Sequence, residues 1–426
     1  MLGMSKRLHT NDSPLNLLDL DAIAKHTSFI RRKTQSFSGI SIILALLKCL
    51  QKGDASFNLL AGEMRLLNLK SLCRGAIYKR LNQKSVDFLQ EVIRQLIASQ
   101  KLPTIKRKTT QRFNRILIED STFVPMGAIN AANFPACGNQ TGVTAGFKLD
   151  LSFDALTNTV VHQSFGSARE SDKKLGAQLL ADIQPGDLVL RDMGYFGCAA
   201  LNLIAEKEAF WISRLPSSIN VFTSNAESLE KKLRSRKNNF IDEVVTLGND
   251  GTTKVRLVGI RADDALAAQR RRSRKSVAQK FGNSPKYQSL VRDGWHLILT
   301  NLDLDVTAKE LFEIYSIRWS VEIRFKAWKQ SLNMKPTLKR YTNYHHLCCI
   351  ALAALIQQLV VNHIFMLAVV SVKRALSYEK VSEVISQQLV TLSLSSLASP
   401  LTLEERHVWM DKRCRKSLHE RLLAIK

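Results

Sequence analysis

The stretch from Leu347 to Val372 is almost free of charge and too long to lie open to water. A run of about 20 apolar residues can cross a bilayer, and a helix apolar on every side can equally be the centre of a soluble core. Gln357, Gln358, Asn362 and His363 interrupt its middle, and each would be costly in hydrocarbon. The N-terminus is polar, and the first apolar run, Ile40 to Leu50, begins too late for a secretory leader. The expectation is a buried core helix and no membrane partner. With 426 residues, 45% of them apolar, the chain can enclose such a helix and still form more than one domain.

Residues 1–37 read as a loose arm with a short helix near Leu15 to Lys25, and Ser38 to about Ser99 has helical periodicity. Within it, Phe57 to Arg65, a connector and Cys73 to Leu81 have helix-turn-helix proportions, the second helix carrying Arg74, Lys79 and Arg80 toward a groove. A plain helical bundle with a basic face is the alternative. Lys101, Lys106, Arg107, Lys108, Arg112 and Arg115 follow without an acid between them, which suits a linker able to track phosphates.

From Ile116 the pattern turns to strands: Ile116–Val124, Ala145–Ala155, Thr159–Phe165, Asp187–Arg191 and Phe210–Ser213, with a helix from Cys198. Three strands followed by alternating helices and strands describe an α/β domain with a mixed sheet. Residues 219–294 intervene before the strand Trp295–Thr300 and hold strands at Glu243–Leu247 and Val255–Ile260, then the basic run Arg270–Lys275.

Asp120 lies on the first strand, and Asp192 closes a strand on which period-two alternation puts Leu188, Leu190 and Asp192 on one side. Gly194 then turns the chain. A third acid, Glu322, lies in the segment Tyr315–Lys329. At 100° per residue, Tyr315, Arg318, Glu322 and Lys329 fall within about 60° of one helix face. Ile314, Ile317, Val321, Phe325, Trp328 and Leu332 form an apolar stripe beside it. The expectation is one continuous helix presenting an acid among cations, a face suited to a metal beside a phosphate.

At these residues the chain resembles the DDE transposases of bacterial insertion sequences, in particular the insertion-sequence-four group with its Tyr-x2-Arg-x3-Glu-x6-Lys signature, matched here by Tyr315, Arg318, Glu322 and Lys329. The sequence Arg191-Asp192-Met-Gly-Tyr-Phe is similar to the family's second acidic motif. The resemblance implies a ribonuclease-H-like catalytic domain over 111–345 with a β-rich insertion at about 219–294, a helical DNA-binding region over 1–110 and a helical region over 346–426. It implies Asp120, Asp192 and Glu322 as catalytic metal ligands, and Tyr315, Arg318 and Lys329 as contacts to the non-transferred strand. It also implies Trp295 as a stacking surface for a flipped base, a homodimer formed on DNA, and a cytoplasmic, nucleoid-associated bacterial protein.

The chemistry agrees with the residue types. Phosphodiester cleavage and strand transfer are in-line displacements, and two metals about 3.5–4 Å apart can stabilise both the attacking and leaving oxygens. Such ions are hard and favour carboxylates, so Mg²⁺ is expected, with Mn²⁺ able to substitute. Glu119, next to Asp120, reads as a bystander. Lys and Arg number 62 against 37 acids, a formal charge of +25, which favours a polyanionic partner. In that setting Arg271, Arg272 and Lys275 are expected to line double-stranded DNA, both the terminal inverted repeats and the target. The seven cysteines show no C-x-x-C spacing, which argues for free thiols and against zinc. A same-fold nuclease that cuts without joining, and a DNA-binding regulator without catalysis, are the competing readings.

Overall fold

The structure is a computed structural model that describes residues 7–10, 14–31, 37–68, 72–99, 110–137, 145–157, 159–225, 227–248, 253–331, 334–371, 376–391 and 401–404. Its N-terminal elements are β1 (Arg7–Thr10), α1 (Leu20–His26), α2 (Gly39–Gln51), α3 (Phe57–Asn68), α4 (Arg74–Arg80) and α5 (Gln83–Ser99). Next come β2 (Ile116–Met126), β3 (Ala145–Asp154), β4 (Val160–Ser167), α6 (Asp172–Leu179), β5 (Leu188–Arg191), α7 (Cys198–Glu206) and β6 (Phe210–Arg214). They continue as β7 (Val221–Phe222), α8 (Leu229–Ser235), β8 (Phe240–Leu247), β9 (Thr253–Arg261), α9 (Asp264–Lys280), α10 (Tyr287–Arg292) and β10 (Trp295–Thr300). The last are α11 (Ala308–Ser316), α12 (Trp319–Ser331), α13 (Met334–Lys339), α14 (Tyr344–Ser371), α15 (Tyr378–Thr391) and β11 (Leu401–Glu404).

The chain divides into two compact units that interleave along the sequence, one of 1–107, 121–170 and 319–426, the other of 108–120 and 171–318. In the first, the charge-free run forms α14, whose most apolar window is wholly buried. Helices α2, α5 and α15 pack on it, so side chains from both ends of the sequence share one core. At about 1.5–3 kcal/mol for each fully buried aliphatic side chain, that enclosure is what holds the helix in place. Two of its polar side chains find partners within the core: the Gln357 amide donates to Ser386 Oγ and the Gln358 amide to the Tyr378 hydroxyl. Helix α2 starts with a capping box in which Ser38 and Ser41 exchange side-chain and backbone bonds. Strands β3 and β4 pair antiparallel, with β3 between β4 and the second half of β2.

The two ends of the chain correct a purely helical reading. β1 pairs antiparallel with β11, from Arg7 opposite Glu404 to Thr10 opposite Leu401. Thus the expected loose arm and the expected helical region over 346–426 each contribute a strand, and Leu401-Thr-Leu-Glu has the period-two alternation that permits it. Residues 405–426 of that expected helical region lie outside the described residues.

The second unit is a sheet in the order β2-β5-β6-β10-β9-β8-β7. The β2–β5 and β5–β6 pairs are parallel, and the pairings from β6 through β10, β9 and β8 to β7 are antiparallel. This is the mixed α/β architecture expected. The inserted residues 219–294 are mixed rather than β-rich, because α8, α9 and α10 accompany β7, β8 and β9. The basic run Arg270–Lys275 therefore lies on α9, where Ala267 is the buried residue and most of the surface faces solvent.

Candidate active site

Strand β2 is paired with β5 only as far as Ile116–Leu188, Leu117–Val189 and Ile118–Leu190. One residue further along each strand stand Glu119 and Arg191, and one beyond that Asp120 and Asp192. The two acids thus flank the place where a parallel pair opens, the usual ligand-binding end of an open α/β sheet. Asp192 also sits at the N-cap of a single 3-10 turn, Met193–Tyr195, without capping it through its side chain. The Gly194 that follows packs so closely that a Cβ would lie 2.7 Å from the Asp172 carboxylate.

Beneath the acids is a buried ion pair. Arg191 Nε lies 3.1 Å from Glu119 Oε2, with both side chains essentially without solvent exposure. The Arg191 Nη2 donates to the Gly176 carbonyl of α6 at 2.8 Å, and the Tyr315 hydroxyl donates to the Arg191 carbonyl at 3.1 Å. Glu119, expected to be a bystander, is part of the frame of the site. Sequence reasoning missed it because its partner is on another strand; the only local signal is that each acid is preceded by a charged residue, Glu before Asp120 and Arg before Asp192.

The segment Tyr315–Lys329 is not one helix. Helix α11, begun by a Thr307–Glu310 capping box, ends at Ser316. The next two amides bond three residues back, Ile317 to Ile314 and Arg318 to Tyr315, and α12 then starts at Trp319. Such a tightened turn resets the helical phase. Tyr315 therefore ends α11, Arg318 sits in the turn, and Glu322 and Lys329 lie on α12, so the single polar face is corrected to two helices. Ile314 and Ile317 before the break, and Val321 and Phe325 after it, are each buried. The Trp328, Lys329 and Leu332 side chains lie outside the described residues.

Tyr315 and Arg318 belong to the unit that carries Asp120 and Asp192. Tyr315 is 8% exposed, and burial raises its phenol well above the ordinary value. Arg318 Nη1 is 4.0 Å from Asp120 Oδ2 and its guanidinium 6.0 Å from the Tyr315 ring centre. The expectation that both residues face DNA phosphates thus meets a structure in which they face the carboxylate site. On α12 Glu322 is half-buried, and the neighbouring Lys326 pairs with Glu379 at 2.8 Å.

The other expected contacts differ in how they are held. Trp295 is 6% exposed and carries the Arg261 guanidinium 5.0 Å from its ring centre, so a flipped base would have to replace that cation. On α9, Arg271 Nε bonds the Leu290 carbonyl at 3.0 Å, and Arg274 makes two 2.8 Å bonds to Asp293. Arg272 and Lys275 are exposed. A groove of about 730 Å³ runs beside α9, lined in part by Arg214, Arg270 and Lys286. Arg214, absent from the sequence expectations, acts electrostatically on both Tyr315 and His296. Burial, with Arg270 and Arg214 nearby, lowers the His296 pKa. Farther back, Arg115 is no phosphate tracker: it chelates Asp187 at 2.5 and 2.9 Å.

The acids suit a hard cation. They are oxygen donors, and Asp192 Oδ1 is buried with no hydrogen-bond partner among the described residues, a vacant lone pair of the kind a divalent ion takes up. Within either unit, no group of three or more His, Cys, Asp or Glu side chains among the described residues is gathered to hold a metal.

The family model described as "Transposase DDE domain" matches residues 111–356, more than half of the chain. The chain belongs to the DDE transposase family. This DNA transposase is similar to those of bacterial insertion sequences. It is 25% identical to the transposase of insertion sequence element IS231E from Bacillus thuringiensis subsp. finitimus, over 73% of this chain and 70% of that one. It is 27% identical, over the same shares, to the transposase of IS231D from the same source. With the transposase of IS1151 from Clostridium perfringens the identity is 22%, over 75% of this chain and 72% of that one. Among solved structures, a piggyBac transposase synaptic complex with hairpin DNA aligns over 92% of this chain and 84% of that chain, with 10% identity and a TM-score of 0.48.

Proposed function

We propose that this transposase cuts and rejoins DNA at the terminal inverted repeats of its own insertion sequence, through Asp120, Asp192 and Glu322 in a ribonuclease-H-like catalytic domain of the insertion-sequence-four group. The observation that carries the reading is the placement of Asp120 and Asp192 just past the last paired residues of two adjacent parallel strands. Mg²⁺, or Mn²⁺ in its place, would be held by these carboxylates and would supply charge stabilisation at the attacking and leaving oxygens of the phosphoryl transfer.

The protein's own residues bind and orient. Asp192 offers its Oδ1, which has no hydrogen-bond partner among the described residues, and Asp120 offers a carboxylate whose charge Arg318 partly balances. Arg271, Arg272 and Lys275 on α9 hold the backbone of the duplex, where each neutralised phosphate releases counterions. Lys329 acts at the non-transferred strand, Tyr315 and Arg318 steady the carboxylate site from within their own unit, and Trp295 receives a base once Arg261 has moved aside. The helices of residues 1–110, with exposed Arg74 and Lys79 on α4, read the repeats. A cytoplasmic homodimer assembled on two ends completes the scheme.

The test is incubation of purified protein with Mg²⁺ and a duplex carrying the repeats that flank its gene, with Glu322→Gln alongside. Metal-dependent cuts at the repeat boundary, lost in the variant and accompanied by joined products, are expected. Cutting without joining would identify a nuclease, and specific binding without cutting a regulator.

A further inference from the structure

We infer that Glu119 and Arg191 form a positioning pair that fixes the spacing of the Asp120 and Asp192 carboxylates; the inference rests on the reading of those two acids as metal ligands. Successive strand residues point to opposite faces. Glu119 and Arg191 therefore meet on one face of the β2–β5 pair, while Asp120 and Asp192, one residue on, project from the other. Two carboxylates carried by adjacent strands repel each other. The β2–β5 ladder itself does not oppose that repulsion, because its pairing stops at Ile118 and Leu190. The ion pair closes the same two strands one residue before the acids.

The pair is held as a rigid part. Arg191 is tied at three points: to Glu119 at 3.1 Å, to the Gly176 carbonyl at 2.8 Å, and through its own carbonyl to the Tyr315 hydroxyl at 3.1 Å. Gly176 admits the Glu119 carboxylate, since a Cβ there would stand 3.3 and 3.4 Å from its two oxygens and 2.8 Å from the Tyr195 ring. A buried ion pair is weak as a device for stability, because apolar residues of similar volume serve a core as well or better. Its place directly before both acids gives it a different use. Neither residue touches substrate or metal; both act through the backbone of the residue that follows.

The test uses the full-length protein and Mn²⁺ alone, followed by loss of the free-ion electron paramagnetic resonance signal. The variants are Glu119→Met/Arg191→Met, which keeps volume without charge, and Asp192→Asn as the reference for a lost ligand. Melting temperature and gel-shift affinity for duplex DNA check the fold. The expected result is a double variant that melts and binds DNA like the parent but holds Mn²⁺ at least tenfold more weakly, near the Asp192→Asn level. A folded double variant with Mn²⁺ affinity within twofold of the parent overturns the inference. If Asp192→Asn itself leaves Mn²⁺ binding and cleavage intact, the assignment of the acids fails instead. Should the double variant not fold, Glu119→Gln is read the same way: a tenfold loss supports the pair and parental affinity overturns it.

Discussion

Arg318 stands 4.0 Å from the Asp120 carboxylate, with only 6% of its side chain exposed. A unit charge at that distance attracts by about 1 kcal/mol in water and about 4 kcal/mol at the effective dielectric near a protein surface. Any divalent ion bound by Asp120 must share the carboxylate with this cation. Arg318→Gln is therefore expected to bind Mn²⁺ at least threefold more tightly while losing strand joining more than first-strand nicking. Weaker Mn²⁺ binding would show instead that Arg318 holds Asp120 in place.

Tyr315→Phe should remove the bond to the Arg191 carbonyl and cost about 1 kcal/mol of stability, read from urea midpoints. Because the hydroxyl is engaged inside the unit, DNA affinity in gel shifts should stay within twofold of the parent. A large loss of affinity without loss of stability would restore a direct phosphate contact. Burial keeps the phenol protonated, so the alkaline limb of a cleavage–pH profile should be the same in parent and variant.

Arg324 on α12 is 1% exposed, and none of its side-chain nitrogens has a hydrogen-bond partner among the described residues. It rests 4.6 Å from the Phe153 ring centre, and burial lowers its pKa to about 10. A buried charge without a counter-ion is a burden that a cation–π contact of about 2 kcal/mol does not lift. Arg324→Met should raise the melting temperature by several degrees, corresponding to about 1–4 kcal/mol. A lower melting temperature would mean that the ring contact outweighs desolvation.

His346 is fully buried, between Phe57 at 4.5 Å and Tyr341 at 5.0 Å. Desolvation pushes its pKa down to about 4, against about 6.5 in an unfolded chain. The unfolded state then binds the extra proton first, so this contribution is complete above about pH 6.5 and is lost as pH falls through about 4. It amounts to on the order of 3 kcal/mol. Urea midpoints between pH 7 and pH 4 should fall more steeply for the parent than for His346→Gln; parallel slopes would exclude His346 as the source.

Features governed by local periodicity were legible in the sequence. Strand β2 around Asp120, strand β5 before Asp192 and the buried helix α14 follow from alternation, turn residues and length. The break between α11 and α12 was not, because Ile314, Ile317, Val321 and Phe325 satisfy the apolar spacing whether or not the helix is continuous. What decides there is a pair of amide bonds at Ile317 and Arg318, which leave no compositional trace. The Glu119–Arg191 pair was hidden for another reason: its partners are far apart in sequence, and only the β2–β5 register brings them level. The pairing of β1 with β11 joins the two ends of the chain, where periodicity in either short strand gives no indication of a partner.

The enclosure of α14 also sets an order of events on the ribosome. Helices α2 and α5, which pack against it, emerge early, and at about 5–20 residues per second they wait some 10–50 s before Tyr344 is made. Until then the side of α2 that packs on α14 has no permanent cover. The unit bearing Asp120 and Asp192 ends at Arg318 and can close while the ends of the chain are still unjoined. A message cut short before residue 344 would therefore release a chain with a formed carboxylate pair and an exposed, aggregation-prone N-terminal half.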